Sequence, residues 1–338
     1  MAQTIGIGGV RVGPGEIGFG RLLLEPLPDG AEVFIPLMVL NGVRDGPVLW
    51  MGSDIHGNEI PGIEVTRRIV REIVDPQELS GAIIGATVLN PYAFRTRQGY
   101  APMDSVNLNA VFPGDPLGTV SERAAHVIFA QGISQCDYAI DFHAATVVGM
   151  EFMCLPVCAD GEIMQRSLDI ALAFGFPLVE LTRDMYGYDR SLIAWAQDTG
   201  KPGFVCEVRA QGMYVESSVR AGVRGVLNVM KHIGMLEGEV EPQAGIVGSG
   251  GTYRLFNVRT RKSGLVHFRV TGGDWVEPGD EIGVVRDPYG EVVDELAART
   301  RGWVRSMVLN RVVYAGQIVC TLLEPHPKEK LWKRLTKS

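Results

Sequence analysis

The chain has 338 residues, 46% of them hydrophobic and 21% charged, with a formal net charge of −7. That length favours two domains, and the composition is that of a globular rather than a disordered protein. The negative balance offers no electrostatic footprint for nucleic acid or an anionic membrane, and no apolar run approaches the ~20 residues that span a bilayer.

Residues 1–40 are glycine-rich and end in Val33-Phe34-Ile35-Pro36-Leu37-Met38-Val39-Leu40, which predicts turns and edge strands leading into a sheet. The early glycines open no helix, so they do not form a dinucleotide site. Val48-Leu49-Trp50-Met51 predicts a buried strand that ends in the polar turn Gly52-Ser53-Asp54-Ile55-His56-Gly57-Asn58-Glu59. Val65, Ile69, Ile73 and Val74 then recur at helical spacing until Asp75-Pro76. A second strand is expected over 82–89, a long polar loop over 90–116 and a helix from about Ser121. A third strand, Tyr138-Ala139-Ile140, leads to Asp141-Phe142-His143 at its end. Helices are expected over 163–174, 191–199 and 215–232, with the strand Phe204-Val205-Cys206-Glu207-Val208 between the last two. Alternating strands and helices predict an α/β fold, a mixed sheet flanked by helices.

The pattern changes after Gly238. A catalytic domain is expected over 1–240, a linker over 241–252, a smaller C-terminal all-β domain over 253–325 and a basic tail over 326–338. The Lys/Arg-rich end, Lys328 to Lys337, reads as a solvated terminus. Five cysteines without framework spacing read as free thiols, and Cys154 and Cys158 lack the second pair of a zinc ribbon. Met1-Ala2-Gln3-Thr4 lacks the basic and apolar regions of a secretory leader, so a cytoplasmic location is expected.

His56 and Glu59 are spaced so that one turn can offer an imidazole and a carboxylate to one metal ion. By itself the pattern is also that of a polar surface turn. A catalytic zinc takes three protein ligands and keeps one open position, and His143, at the end of another strand, is a candidate third. Asp141 would lie on the same side of its strand as His143, either accepting a proton from a ligand imidazole or standing as a surface carboxylate. His126, His232, His267 and His326 fit no motif. No Gly-x-Ser-x-Gly elbow or phosphate-binding loop is present.

His56-Gly-Asn-Glu59, Asn90-Pro91-Tyr92-Ala93-Phe94-Arg95, Asp104 through Asn107-Leu108-Asn109-Ala110 to Phe112-Pro113-Gly114, Asp141-Phe142-His143 and Glu207 occur in that order. Together they resemble the succinylglutamate desuccinylase/aspartoacylase family, a zinc carboxypeptidase-like (M14-type) branch of hydrolases, over roughly residues 35–235. The C-terminal segment is similar to the barrel-sandwich module such proteins carry, without a lysine in a swinging-arm turn. The resemblance implies that His56, Glu59 and His143 bind one Zn2+ per chain. It implies that Glu207 is general base and then general acid, and that Arg95 or Arg97 holds the developing oxyanion. Asn107 and Asn109 would shape the substrate pocket or structure their loop.

One departure stands out: Ala110 occupies the position where the family carries an arginine that grips a substrate carboxylate. Arg209, on the same strand face as Glu207, is the expected replacement, with a structural ion pair as its other reading. The expected function is a zinc-dependent deacylase acting on the amide bond of a small N-acyl amino acid or related amine. The alternatives are hydrolysis of another amide, or a zinc-binding protein whose catalysis is altered. A homo-oligomer is possible; no nucleic-acid or membrane partner is expected.

Overall fold

The run Val48-Leu49-Trp50-Met51 is apolar throughout because its strand is covered on both faces. Leu49 and Met51 enter one core, and Trp50 enters another on the opposite side. The computed structural model describes residues 3–146, 148–158, 160–181 and 188–327. The Lys/Arg-rich end expected from Lys328 onward lies outside the described residues.

Ile5–Ile7 (β1) and Val10–Val12 (β2) form a small antiparallel pair. Glu16–Leu23 (β3), Phe34–Asn41 (β4), Arg44–Ser53 (β5), Ser80–Ala86 (β6) and Tyr138–Ala145 (β7) belong to the main sheet. So do Phe152–Pro156 (β8), Leu178–Leu181 (β9) and Gly203–Arg209 (β10). Their order is β3-β4-β6-β5-β7-β10-β8-β9. β6, β5, β7 and β10 run parallel, whereas β4 and β8 run antiparallel to their neighbours in that set, which makes the sheet mixed. β7 is longer than its apolar start suggests: it continues through Ala145, so Asp141 and His143 lie within the strand, not beyond it.

Pro61–Arg68 (α1), Pro91–Thr96 (α2), Val120–Val127 (α3), Gly161–Phe174 (α4), Leu192–Asp198 (α5) and Glu216–His232 (α6) connect the strands. α1, α4 and α6 cover one face, where Phe142, Phe174, Phe176 and Phe204 pack together. α3 and α5 cover the other. The segment expected to be one long loop from Asn90 contains α2. Its polar start conceals a cap, because Asn90 Oδ1 accepts the Ala93 N–H at 3.1 Å and Pro91 takes the first helical position. None of these helices is long and apolar enough to cross a membrane, among the described residues.

The C-terminal region comprises Thr252–Arg259 (β11), Gly264–Phe268 (β12), Trp275–Val276 (β13), Glu281–Arg286 (β14), Val292–Ala297 (β15), Gly302–Met307 (β16), Val312–Val313 (β17) and Ile318–Pro325 (β18). Strands β15-β14-β12-β17 make a separate antiparallel sheet, and the region has its own core of Val258, Val266, Ile282, Val285 and Leu322. Thr252 and Tyr253 pair parallel with Leu178 and Val179, so β11, β18, β16 and β13 extend the main sheet to twelve strands.

Candidate metal centre

The turn after β5 is fastened before any ligand is considered. Asp54 takes a left-handed backbone (φ 61°) at the end of the strand. Asn90 ties the turn to α2: its N–H donates to Asp54 O, and its Nδ2 donates to Ile55 O, each at 3.2 Å. Gly57 lies so close to the backbone of Ala93 and Phe94 that a Cβ there would collide with it, which explains the glycine between His56 and Glu59. The Glu59 N–H closes the turn on His56 O at 2.9 Å. The Asp54 carboxyl is fully buried, and burial together with the charge of Glu59 pushes it up to about 8.

Potential ligand atoms of His56, Glu59 and His143 lie within 4.8 Å of one another. Glu59 Oε2 is 3.1 Å from His56 Nδ1 and 2.8 Å from His143 Nδ1, yet it makes no well-formed hydrogen bond. The far sides of the two rings explain this. Asn107 Oδ1 accepts the Asn109 N–H at 2.9 Å, which identifies it as the oxygen, and His56 Nε2 lies 3.1 Å from it. His143 Nε2 lies 3.0 Å from Asp141 Oδ2. Each Nε2 therefore faces an oxygen that accepts its proton, which turns both Nδ1 atoms toward the Glu59 oxygen. Two imidazole nitrogens and a carboxylate oxygen converging on one point suit a cation, whether a proton or a metal ion.

Electrostatics agree. Burial opposes ionisation of Glu59, but the two imidazoles outweigh it and hold the carboxyl well below its usual range. Burial likewise opposes a charged His143, and the carboxylates of Asp141 and Glu59 overcome it and raise that imidazole. A site that draws a proton so strongly offers the same field to a metal ion.

Glu207 and His143 are register partners in the parallel pair of β10 and β7, so they share one face. Glu207 joins Glu59 in lining a cavity of about 300 Å³. Burial raises its carboxyl above the ordinary value, against the pull of His143. Asn109 accepts the Leu192 N–H at 2.9 Å and brings its Nδ2 within 3.3 Å of His143 Nε2, while Asn107 holds His56. Asn107 thus orients the His56 ring, whereas Asn109 Nδ2, a donor facing a protonated Nε2, only packs against the His143 ring.

The arginines fall elsewhere. Arg95 is exposed on α2, with its Nη2 3.4 Å from Glu32 O, and Arg97 is exposed at the end of that helix with φ 56°. Neither lines the cavity, because the helix hidden in the Asn90 loop turns that segment outward. Arg209 is not a lining residue either; its Nε is buried without a hydrogen-bond partner among the described residues. Ala110 sits in a short 3₁₀ turn, Leu108–Ala110. Sequence reasoning missed Thr146, Gln211, Arg305 and Ser306, which do line the cavity. Arg305 and Ser306 come from β16, where short alternating strands carry no motif.

A model of the succinylglutamate desuccinylase/aspartoacylase catalytic domain matches residues 45–233. The chain is 28% identical over 264 residues to the N-alpha-acetyl-L-2,4-diaminobutyric acid deacetylase of Halomonas elongata, covering 75% of each chain. Among solved structures it resembles a succinylglutamate desuccinylase/aspartoacylase from Rhodobacter sphaeroides (26% identity, TM-score 0.79, 93% of this chain and 96% of that one). It also resembles the product-bound ectoine utilization protein of Ruegeria pomeroyi (25%, TM-score 0.79, 91% and 95%). A metallo-carboxypeptidase from Burkholderia cenocepacia shares the fold alone, at 13% identity and TM-score 0.51 over 64% of this chain and 65% of that one.

Proposed function

The chain belongs to the succinylglutamate desuccinylase/aspartoacylase family, and on that premise we propose that it is a metal-dependent deacylase acting on the amide bond of a small N-acyl amino acid. The observation that carries this reading is the convergence of His56 Nδ1, His143 Nδ1 and Glu59 Oε2 beside Glu207. His56, Glu59 and His143 would hold a zinc ion. When bound, zinc polarises an acyl carbonyl and makes water a nucleophile near neutral pH.

The chain's own residues do the rest. Glu207 accepts a proton from the water that attacks the acyl carbon, then returns it to the amide nitrogen as the C–N bond breaks, releasing a carboxylic acid and a free amine. A carboxyl raised by burial suits both halves of that transfer. Asn107 and Asp141 keep the Nε2 protons in place, so both Nδ1 atoms stay available as ligands.

A second reading draws on Ala110 and on the outward position of Arg95 and Arg97: a metal-binding protein with altered catalysis. The named relative makes Nα-acetyl-2,4-diaminobutyrate the first compound to test, followed by other N-acetyl, N-succinyl and N-formyl amino acids. Purified protein should carry about one zinc ion per chain and hydrolyse a member of the panel. Glu207→Gln should keep the metal and lose roughly 10²–10⁴-fold in turnover. Wild-type protein no more active than Glu207→Gln across the panel would favour the second reading.

A further inference from the structure

Among the described residues lining the cavity, Arg305 is the one cation, and it comes from the C-terminal strands. Its placement is over-determined. The Met150 N–H donates to Arg305 O at 2.9 Å, which fastens β16 to the loop after β7. A Cβ on Gly149 would lie 3.0 Å from Arg305 O and 3.1 Å from Thr146 Oγ1, so the glycine lets the two segments close. The guanidinium lies over the Phe152 ring, 4.5 Å from its centroid. Phe152 is the register partner of Glu207 across β8 and β10. Stacking on Phe152 thus sets the charge beside Glu207 on the cavity wall.

Among the described residues, little of the guanidinium's hydrogen-bonding capacity is used. Its Nε reaches Ser306 Oγ at 3.3 Å, and it forms no ion pair with a carboxylate among the described residues. Thr146 Oγ1, on the same cavity, is buried and has no hydrogen-bond partner among the described residues. A guanidinium with an open fork next to an unused hydroxyl suits a carboxylate.

The position also fits the chemistry. In an N-acyl amino acid the carboxylate is carried by the carbon bonded to the leaving nitrogen, the atom that Glu207 must protonate. A cation next to Glu207 therefore stands where that carboxylate arrives. We propose that Arg305, assisted by Thr146 and Ser306, binds the carboxylate of the substrate's amine portion, replacing the arginine absent at Ala110 and selecting N-acyl amino acids over neutral amides. This rests on the deacylase reading of the same site.

The test compares calorimetric binding of Nα-acetyl-2,4-diaminobutyrate and its carboxamide to zinc-loaded Glu207→Gln protein, with and without Arg305→Met. The parent should prefer the acid by about 10-fold or more, and Arg305→Met should bring the two within about 2-fold at unchanged zinc content. Equal binding by the parent, or a preference that survives Arg305→Met, overturns the proposal. Should Arg305→Met fail to fold, Arg305→Lys decides: loss of about 3-fold or more of the preference supports the proposal, and full retention overturns it. Wild-type turnover is scored separately. An acid preference without turnover keeps the Arg305 assignment and overturns the deacylase reading; turnover without the preference does the reverse.

Discussion

Two regions meet at the cavity, and they are held in different ways. The strand ends of the main sheet are fixed redundantly: β7 is hydrogen-bonded on both sides by β5 and β10, and Asn90, Asn107 and Asp141 each secure the His56 turn or one of the two histidine rings. The C-terminal strands reach the cavity through fewer ties, chiefly two residues of β11 on β9 and the Met150 bond to Arg305. Chemistry that tolerates little misplacement sits where constraints coincide. Recognition by a long side chain sits where they are sparse.

Three changes probe that contrast, from the strongest to the mildest. His143→Ala removes a proposed metal ligand from the redundant region, and both zinc and turnover should be lost, as metal analysis and the panel would read. A variant that kept its zinc would show that the three-residue convergence is not the metal site. Asp141→Asn should be smaller: it leaves the ligand in place but weakens its orientation, lowering metal affinity by about 10–100-fold in a chelator competition. Unchanged affinity would mean that the strand alone fixes the ring.

Asp294→Ala probes the other region. Buried Asp294 accepts from Thr260 Oγ1 and from the Arg261 N–H, Nε and Nη2, so it ties β15 to the loop after β11. Its loss should cost about 1.5–3 kcal/mol in thermal or denaturant unfolding while zinc content stays constant. Burial works against its ionised form, but the Arg261 N–H, the guanidinium and Thr260 prevail and hold the carboxyl below its ordinary value. A depressed value means that the stabilisation is present above the unfolded pKa of ~3.9 and fades as pH falls through the lower folded value. The stability gap between wild type and variant should therefore narrow in acid; a gap that widens would contradict the assignment.

Much of the catalytic half was legible because period and punctuation agree there. The apolar run before the His56 turn, the helical spacing after it and the placement of Asp141 and His143 on one strand face all follow from local pattern. Asn90-Pro91 was read as loop because a capping pair and a turn share the same residues; only the Ala93 N–H distinguishes them. The helix, not the loop, carries Arg95 and Arg97 to the outer surface. Arg305 was not legible: its meaning arises from stacking on Phe152, 153 positions earlier in the numbering, and no spacing rule spans such a contact.

The register that sets Glu207 opposite His143 also constrains how the gene can change. A single codon lost or gained within β10 would rotate every later side chain to the other face of the sheet, presenting Cys206 or Val208 where Glu207 should be. Insertions in the surface connections leave that pairing untouched. Length variation among descendants of this chain should therefore collect outside β5, β7 and β10, and a library that randomises loop lengths should retain far more working members than one that shifts those strands.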